Sequence, residues 1–261
     1  MLLNFKLGYR NHISWQSLFR YFIALFVFFF HTNIFAGWKK IISGIEYQDM
    51  APHYLSDWSH IHLFKVKVRE HEFKLINHQQ IGLRLPSIEQ YAEHQKATFA
   101  FNAGFFDTHH QPLGLRISES KLSNPFKNIS WWGVFRIQNQ QASIESAKNF
   151  KQHPVPEFAI QSGPRLIIDK HIPSLHPGYA ERTALCVISP GEVAVIITQN
   201  FPMTLKQLAI TLQGPPLYCQ NALNLDGGSS TQFFAKFPHL FLHMPGLVSV
   251  SDAIIVSPRK N

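Results

Sequence analysis

The sequence predicts an α+β protein: a mixed, mostly antiparallel β-sheet with a few helices, in a single domain. Three observations point there. Short runs rich in Val, Ile and Phe recur along the chain, two of them flank a Pro-Gly turn, and only two segments combine a helical cap with a helical apolar stripe. Composition agrees: of 261 residues 45% are hydrophobic and 15% charged, below the ~25% charge usual in soluble domains, which excludes a disordered chain. Two cysteines exclude a disulfide-dense scaffold and a zinc ribbon.

The elements follow in chain order. Lys6, Arg10 and Arg20 lead into an unbroken apolar stretch from Tyr21 to Phe30, and Ile34-Phe35-Ala36 ends the segment. That order of basic, apolar and small residues describes a secretory signal peptide, and the stretch is short of the roughly 20 residues of a spanning helix. The competing reading is an uncleaved N-terminal anchor, the one expected route to a membrane. The expected domain is 37–261, periplasmic or secreted, and loss of 1–36 takes the formal charge from +8 to +5. Such an excess suits an anionic ligand, while no Lys/Arg run or basic-aromatic pattern supports nucleic-acid binding.

In His60–Val68 the residues Phe64, Val66 and Val68 share one face and Lys65 and Lys67 the other, a half-buried strand. Ser87 with Gln90 makes a capping box, and Ile88, Tyr91 and Ala92 an apolar helix face. Strands are also expected at 73–76, 97–101, 113–117, 133–137 and 165–168. Thr183–Ile188 and Val193–Thr198 flank Ser189-Pro190-Gly191-Glu192 as a hairpin. Thr204 with Gln207 repeats the box, Leu205, Leu208, Ala209 and Leu212 form the stripe, and Gly214-Pro215 ends the helix. Strands at 223–225, 232–234 and 253–256 complete the set.

Chemistry concentrates where strands run into loops of small and polar residues. Asp226 precedes the paired glycines Gly227 and Gly228, whose N–H groups could form an anion nest, and Ser229, Ser230 and Thr231 add hydroxyls. No Walker lysine follows, so this is no nucleotide loop. The bland alternative is a tight turn between core strands. Asn102 and Asp107 bracket Gly104, either as ligand groups or as an Asx-type turn. Arg182 opens a strand of buried character, as a structural ion pair or as a fork for phosphate.

Together, Asn102–Asp107, Ser162-Gly163-Pro164, Arg182-Thr183-Ala184, Met203-Thr204-Leu205 and Asn224–Thr231 resemble, in order and spacing, the motifs of the phosphodiester glycosidase family across roughly residues 95–256. Ala103 stands where a second glycine is common, Arg165 where an aliphatic residue is, and Gln199-Asn200 where a Gly-Arg element is. The resemblance implies hydrolysis of a sugar-1-phosphodiester in a glycan or glycoconjugate. It implies Asp226 as the carboxylate facing the anomeric carbon and Asp107 as a second carboxylate. Arg182, with Arg165, Gly227, Gly228, Ser229 and Ser230, would hold the phosphate. Asn102 and Gln161 would orient sugar hydroxyls, and Ser162, Thr183, Asn224 and Thr231 complete the substrate-binding set. A non-catalytic glycan- or polyanion-binding envelope protein of the same fold is the competing function.

No cofactor is expected, although Asp107, Asp226 and Asn224 offer hard oxygen ligands to a divalent cation. Histidines, including His109-His110, lack zinc spacing. Cys186 and Cys219 are either one disulfide or buried free thiols. Asn128-Ile129-Ser130 is a glycosylation sequon only in a eukaryotic secretory pathway.

Overall fold

A computed structural model describes residues 37–51 and 57–259, which form one compact unit; the signal-type segment lies outside them. Three sheets make up the architecture, and every strand pairing among the described residues is antiparallel.

The largest sheet joins β1 (Lys39–Ile42), β2 (Ile45–Asp49), β3 (His60–Lys67), β13 (Glu192–Gln199), β12 (Thr183–Ser189), β14 (Asn221–Asn224) and β11 (Arg165–Ile167), in that spatial order. The second runs β7 (Lys121–Asn124), β6 (Arg116–Ser118), β10 (Phe158–Ser162), β8 (Gly133–Gln138) and β9 (Gln141–Ser146). The third runs β16 (Leu240–Met244), β15 (Phe233–Phe237), β5 (Phe99–Asn102), β17 (Asp252–Pro258) and β4 (His71–Asn77). The second sheet is built from five consecutive strands, whereas the third joins residues 71–102 to 233–258, a pairing that local periodicity does not reveal.

The sheets share one core. Phe64 and Val66 of β3, Phe99 and Phe101 of β5, Phe135 of β8, Phe158 of β10 and Phe233 of β15 are buried together. The two predicted helices cover outer sheet faces. In α2 (Ile88–His94) the reciprocal Ser87–Gln90 box forms, and Ile88, Tyr91 and Ala92 pack on Ala100, Ala253 and Ile255. In α3 (Leu205–Gln213) the Thr204–Gln207 box forms, and Leu208, Ala209 and Leu212 pack on Leu63, Cys186, Ala194 and Ile196. β3 is therefore buried on both faces over its first half, where alternation alone predicts burial on one. A further short helix, α1 (His78–Ile81), has its own box between Asn77 and Gln80. No described helix is long and apolar enough to cross a membrane.

Cys186 of β12 and Cys219, just after α3, form a disulfide with 5.7 Å between Cα atoms, so the free-thiol alternative falls. It closes a loop of sequence separation 33. Cys186→Ala with Cys219→Ala should lower unfolding free energy by ~3 kcal/mol in denaturant titrations, chiefly by freeing the unfolded chain. No loss would show that core packing alone fixes α3.

His62 of β3 is 1% exposed, set 4.7 Å from the Phe233 ring and stacked on His60. With its proton on Nε2 the ring satisfies both neighbours: it donates to Gln199 Oε1 and accepts the Tyr47 hydroxyl, each at 2.9 Å. Burial pushes its pKa down to about 4, outweighing the Gln199 bond and the charge of Asp49. The unfolded chain takes up this proton near its ordinary value of about 6.5, whereas the folded protein resists until about pH 4. Stability should thus fall as pH drops through that window, by an amount on the order of 3 kcal/mol. Denaturation midpoints between these limits should fall less steeply in His62→Gln.

Candidate active site

The Asn224–Thr231 segment leaves the large sheet at the end of β14 and turns through a single 3₁₀ turn at Gly228–Ser230. One contact and one backbone angle dictate glycine here. A Cβ on Gly227 would stand 2.6 Å from the Glu181 carbonyl oxygen, and Gly228 has a left-handed φ of 62°. The turn ties down Asp226. Its backbone N–H donates to the Ala103 carbonyl, and its Oδ1 accepts the Gly227 N–H at 2.9 Å. Ser230 hydrogen-bonds the same carboxylate. Burial nevertheless raises its pKa above the ordinary value; these two bonds oppose the shift.

The anion nest does not form. The Gly227 N–H is taken by Asp226, and the Gly228 N–H donates to the Glu181 carbonyl at 2.7 Å. The glycines allow two chain segments to meet; they do not present donors to a ligand.

Arg182, one residue after that carbonyl, supplies the positive charge. Its backbone N–H is held by the Thr198 hydroxyl, and Glu181 accepts from that hydroxyl and from the Phe201 N–H. Arg182 Nε donates to the Met203 carbonyl at 2.8 Å and Nη2 to the Gly178 carbonyl at 2.6 Å. Among the described residues no carboxylate pairs with this guanidinium, and its Nη1 has no protein partner. The structural ion pair is therefore absent. Burial lowers its pKa, yet an arginine stays charged.

Both groups line one cleft of about 710 Å³. Among the described residues that line it, Asp226 is the single carboxylate and Arg182 the single Arg or Lys. Asn224, 4% exposed, also lines it; its Nδ2 donates to the Gly163 and Leu225 carbonyls, and its Oδ1 has no partner.

Several residues expected at the ligand lie elsewhere. Asp107 is no second carboxylate of the cleft: its Oδ1 accepts the His109 and Gln111 N–H groups at 2.9 and 3.0 Å, which hold its carboxyl below the ordinary range. It makes the Asx-type turn. Asn102 is buried, donating to the Ala103 and Asp226 carbonyls and accepting from Thr183 Oγ1 and the Gln232 N–H. That leaves neither Asn102 nor Thr183 for sugar. Gln161 is likewise spent, its Oε1 on the Leu115 and Lys127 N–H groups and its Nε2 on the Lys127 carbonyl. Its side chain replaces a strand partner, which is why the strand expected from Leu113 begins only at Arg116. Arg165 packs its stem over Gly133, away from the cleft lining. Ser162 and Thr231 are buried with unpartnered hydroxyls, and exposed Ser229 uses its carbonyl to hold Leu247 and Val248; none lines the cleft. Ser230 acts through Asp226. Among the described residues no group of three His, Cys, Asp or Glu could hold a metal ion.

Sequence reasoning missed three contributors. Trp131 and the Ser174-Leu175-His176 loop line the cleft but carry no periodic signal. Arg116 is fully buried, with Nε on Asp252 Oδ2 at 2.7 Å and Nη2 on the carbonyl of cleft residue Phe105. An arginine inside the apolar Leu113–Ile117 run was the available signal.

Strand-built layers with a cleft at the β14 end define an antiparallel α+β protein. Residues 95–257 match the phosphodiester glycosidase family, and the chain belongs to it. Among solved structures it is similar to the catalytic domain of zebrafish N-acetylglucosamine-1-phosphodiester alpha-N-acetylglucosaminidase, auto-inhibited by its pro-peptide, at 21% identity, 82% of each chain and TM-score 0.62. A hypothetical protein from Synechocystis matches at 18% identity, 83% of this chain, 62% of that one and TM-score 0.57. A Burkholderia pseudomallei protein provisionally named as exported matches at 9% identity, 77% of this chain, 74% of that one and TM-score 0.57. These likenesses are of fold. No curated protein matches the chain.

Proposed function

We propose that this protein hydrolyses a sugar-1-phosphodiester, releasing the free sugar and a phosphate monoester. The observation that carries the reading is the meeting of Asp226 and Arg182 in one cleft of a phosphodiester glycosidase-family chain. Glycosidases ordinarily need two carboxylates, one of them an acid for the leaving oxygen. A phosphate monoester is a good leaving group, so one carboxylate suffices. Asp226 takes the proton of a water as its oxygen attacks C1; the C1–O bond breaks and its electron pair leaves on the phosphate. Arg182, through its free Nη1, stabilises the charge gathering there. The elevated pKa of Asp226 brings its basicity closer to that task. Asn224 Oδ1, a buried acceptor without a partner, suits a sugar hydroxyl.

Cleavage of a panel of sugar-1-phosphodiesters, followed by NMR, tests the proposal. Free sugar and phosphomonoester in equal amounts are expected. Release of sugar-1-phosphate would mean phosphorus–oxygen cleavage and refute it. The proposal extends to export of the domain 37–261 after removal of 1–36, supported by the disulfide, which cytosolic thiols would reduce.

A further inference from the structure

The cleft lining mixes polar and apolar side chains, with Ser174 and His176 on either side of Leu175. Asn224, Asp226 and Arg182 are polar and come from two segments held together by the Gly227–Glu181 contact. Phe105, Trp131, Pro164, Leu175, Ala180 and Leu205 offer no side-chain donor or acceptor apart from the indole N–H. A sugar carries hydroxyls around most of its ring, and each one buried without a partner weakens binding. The sugar and phosphate therefore belong with the polar groups, and the apolar remainder needs another occupant.

Trp131 marks it. The ring lines the cleft yet is 58% exposed, an uncovered aromatic face beside a polar site. It is firmly mounted: Trp131 meets Trp132 edge-on at 5.8 Å, and Trp132 packs 5.4 Å from Phe105. A Cβ on Gly163 or Gly114 would stand 2.6 or 2.9 Å from the Trp132 ring, so the backbone closes tightly around it. Trp131 thus rests edge-on against a neighbour that is itself fixed.

We infer that the second ester of the phosphodiester carries an apolar body, an alkyl chain or an aromatic ring, seated on Trp131 and the neighbouring apolar lining. This rests on the phosphodiester reading of the same site. Trp131 is then a specificity-determining residue, selecting the leaving group while the polar groups select the sugar phosphate.

Calorimetric titration with methyl, n-octyl and phenyl phosphate, the octyl ester kept below its micellar concentration, tests the inference without turnover. Octyl or phenyl phosphate should bind ~10-fold or more tightly than methyl phosphate, since burying each CH₂ is favourable. The preferred ester tells chain from ring. Trp131→Ala should bring the preference to within about twofold, and Trp131→Phe should restore much of it. Equal affinities, a preference untouched by Trp131→Ala, or no detectable binding of any ester would overturn the inference. Apolar preference in a protein that cleaves no sugar phosphodiester would sink the catalytic reading alone. Cleavage without that preference would sink this one alone.

Discussion

Asp226→Asn should lower kcat by ~10³-fold or more while KM stays within a few-fold, the pattern of an interaction made mainly in the transition state. The amide is nearly isosteric and keeps an oxygen for the Gly227 N–H, so the turn should hold. What disappears is the basic site for the water proton. In the unmodified protein the base must be ionised, so kcat/KM should fall with falling pH through the Asp226 pKa. Burial sets that limb above the ordinary carboxylate value of about 3.9. An Asp226→Asn protein that turns over normally would dismiss Asp226 and leave the cleft without any carboxylate to do this work.

Arg182→Lys should reduce kcat/KM by ~10²-fold, the loss typical of one donor to developing negative charge. Charge is retained, so the change isolates geometry. The guanidinium reaches the Met203 and Gly178 carbonyls and still has Nη1 to spare. A lysine ammonium has no fork to span two carbonyls and face the ligand together. Melting temperature should move by only a few degrees, because Arg182 is half-buried and its backbone bond to Thr198 remains. Near-normal turnover, or outright unfolding, would make Arg182 a brace for the Gly178 loop.

Legibility in the sequence followed local signals. Both longer helices were readable because cap and stripe are local, and the 183–199 hairpin because its turn is. The strands missed are β1, β2, β7, β9, β10 and β16. Of these, β1, β7, β9 and β16 are sheet edges, and β1, β2, β7 and β9 carry polar residues on half their length or more. β10, though buried throughout, offers only the short apolar run Phe158–Ile160. An edge strand is kept polar against mispairing, which erases the alternation that identifies it. At the site, motif order brought Arg182, Asn224, Asp226, Gly227 and Gly228 to the cleft. The side chains of Asn102, Gln161 and Thr183 are taken up by protein partners; a polar side chain that stitches two loops looks in sequence like one that awaits a ligand. Trp131, exposed, and Leu175, half-buried, had no signal because a loop residue obeys no period.

The contact of Gly227 with the Glu181 carbonyl bears on how this protein can change. Position 227 is closed to every side chain, and a shift there drags Arg182 and Asp226 together, so the two charged groups drift as a pair or not at all. Variation in substrate must come from outside that joint. A mutant library aimed at new leaving groups should therefore spare 181–182 and 226–228 and randomise 131 and 174–176, where the backbone is bound by no such contact.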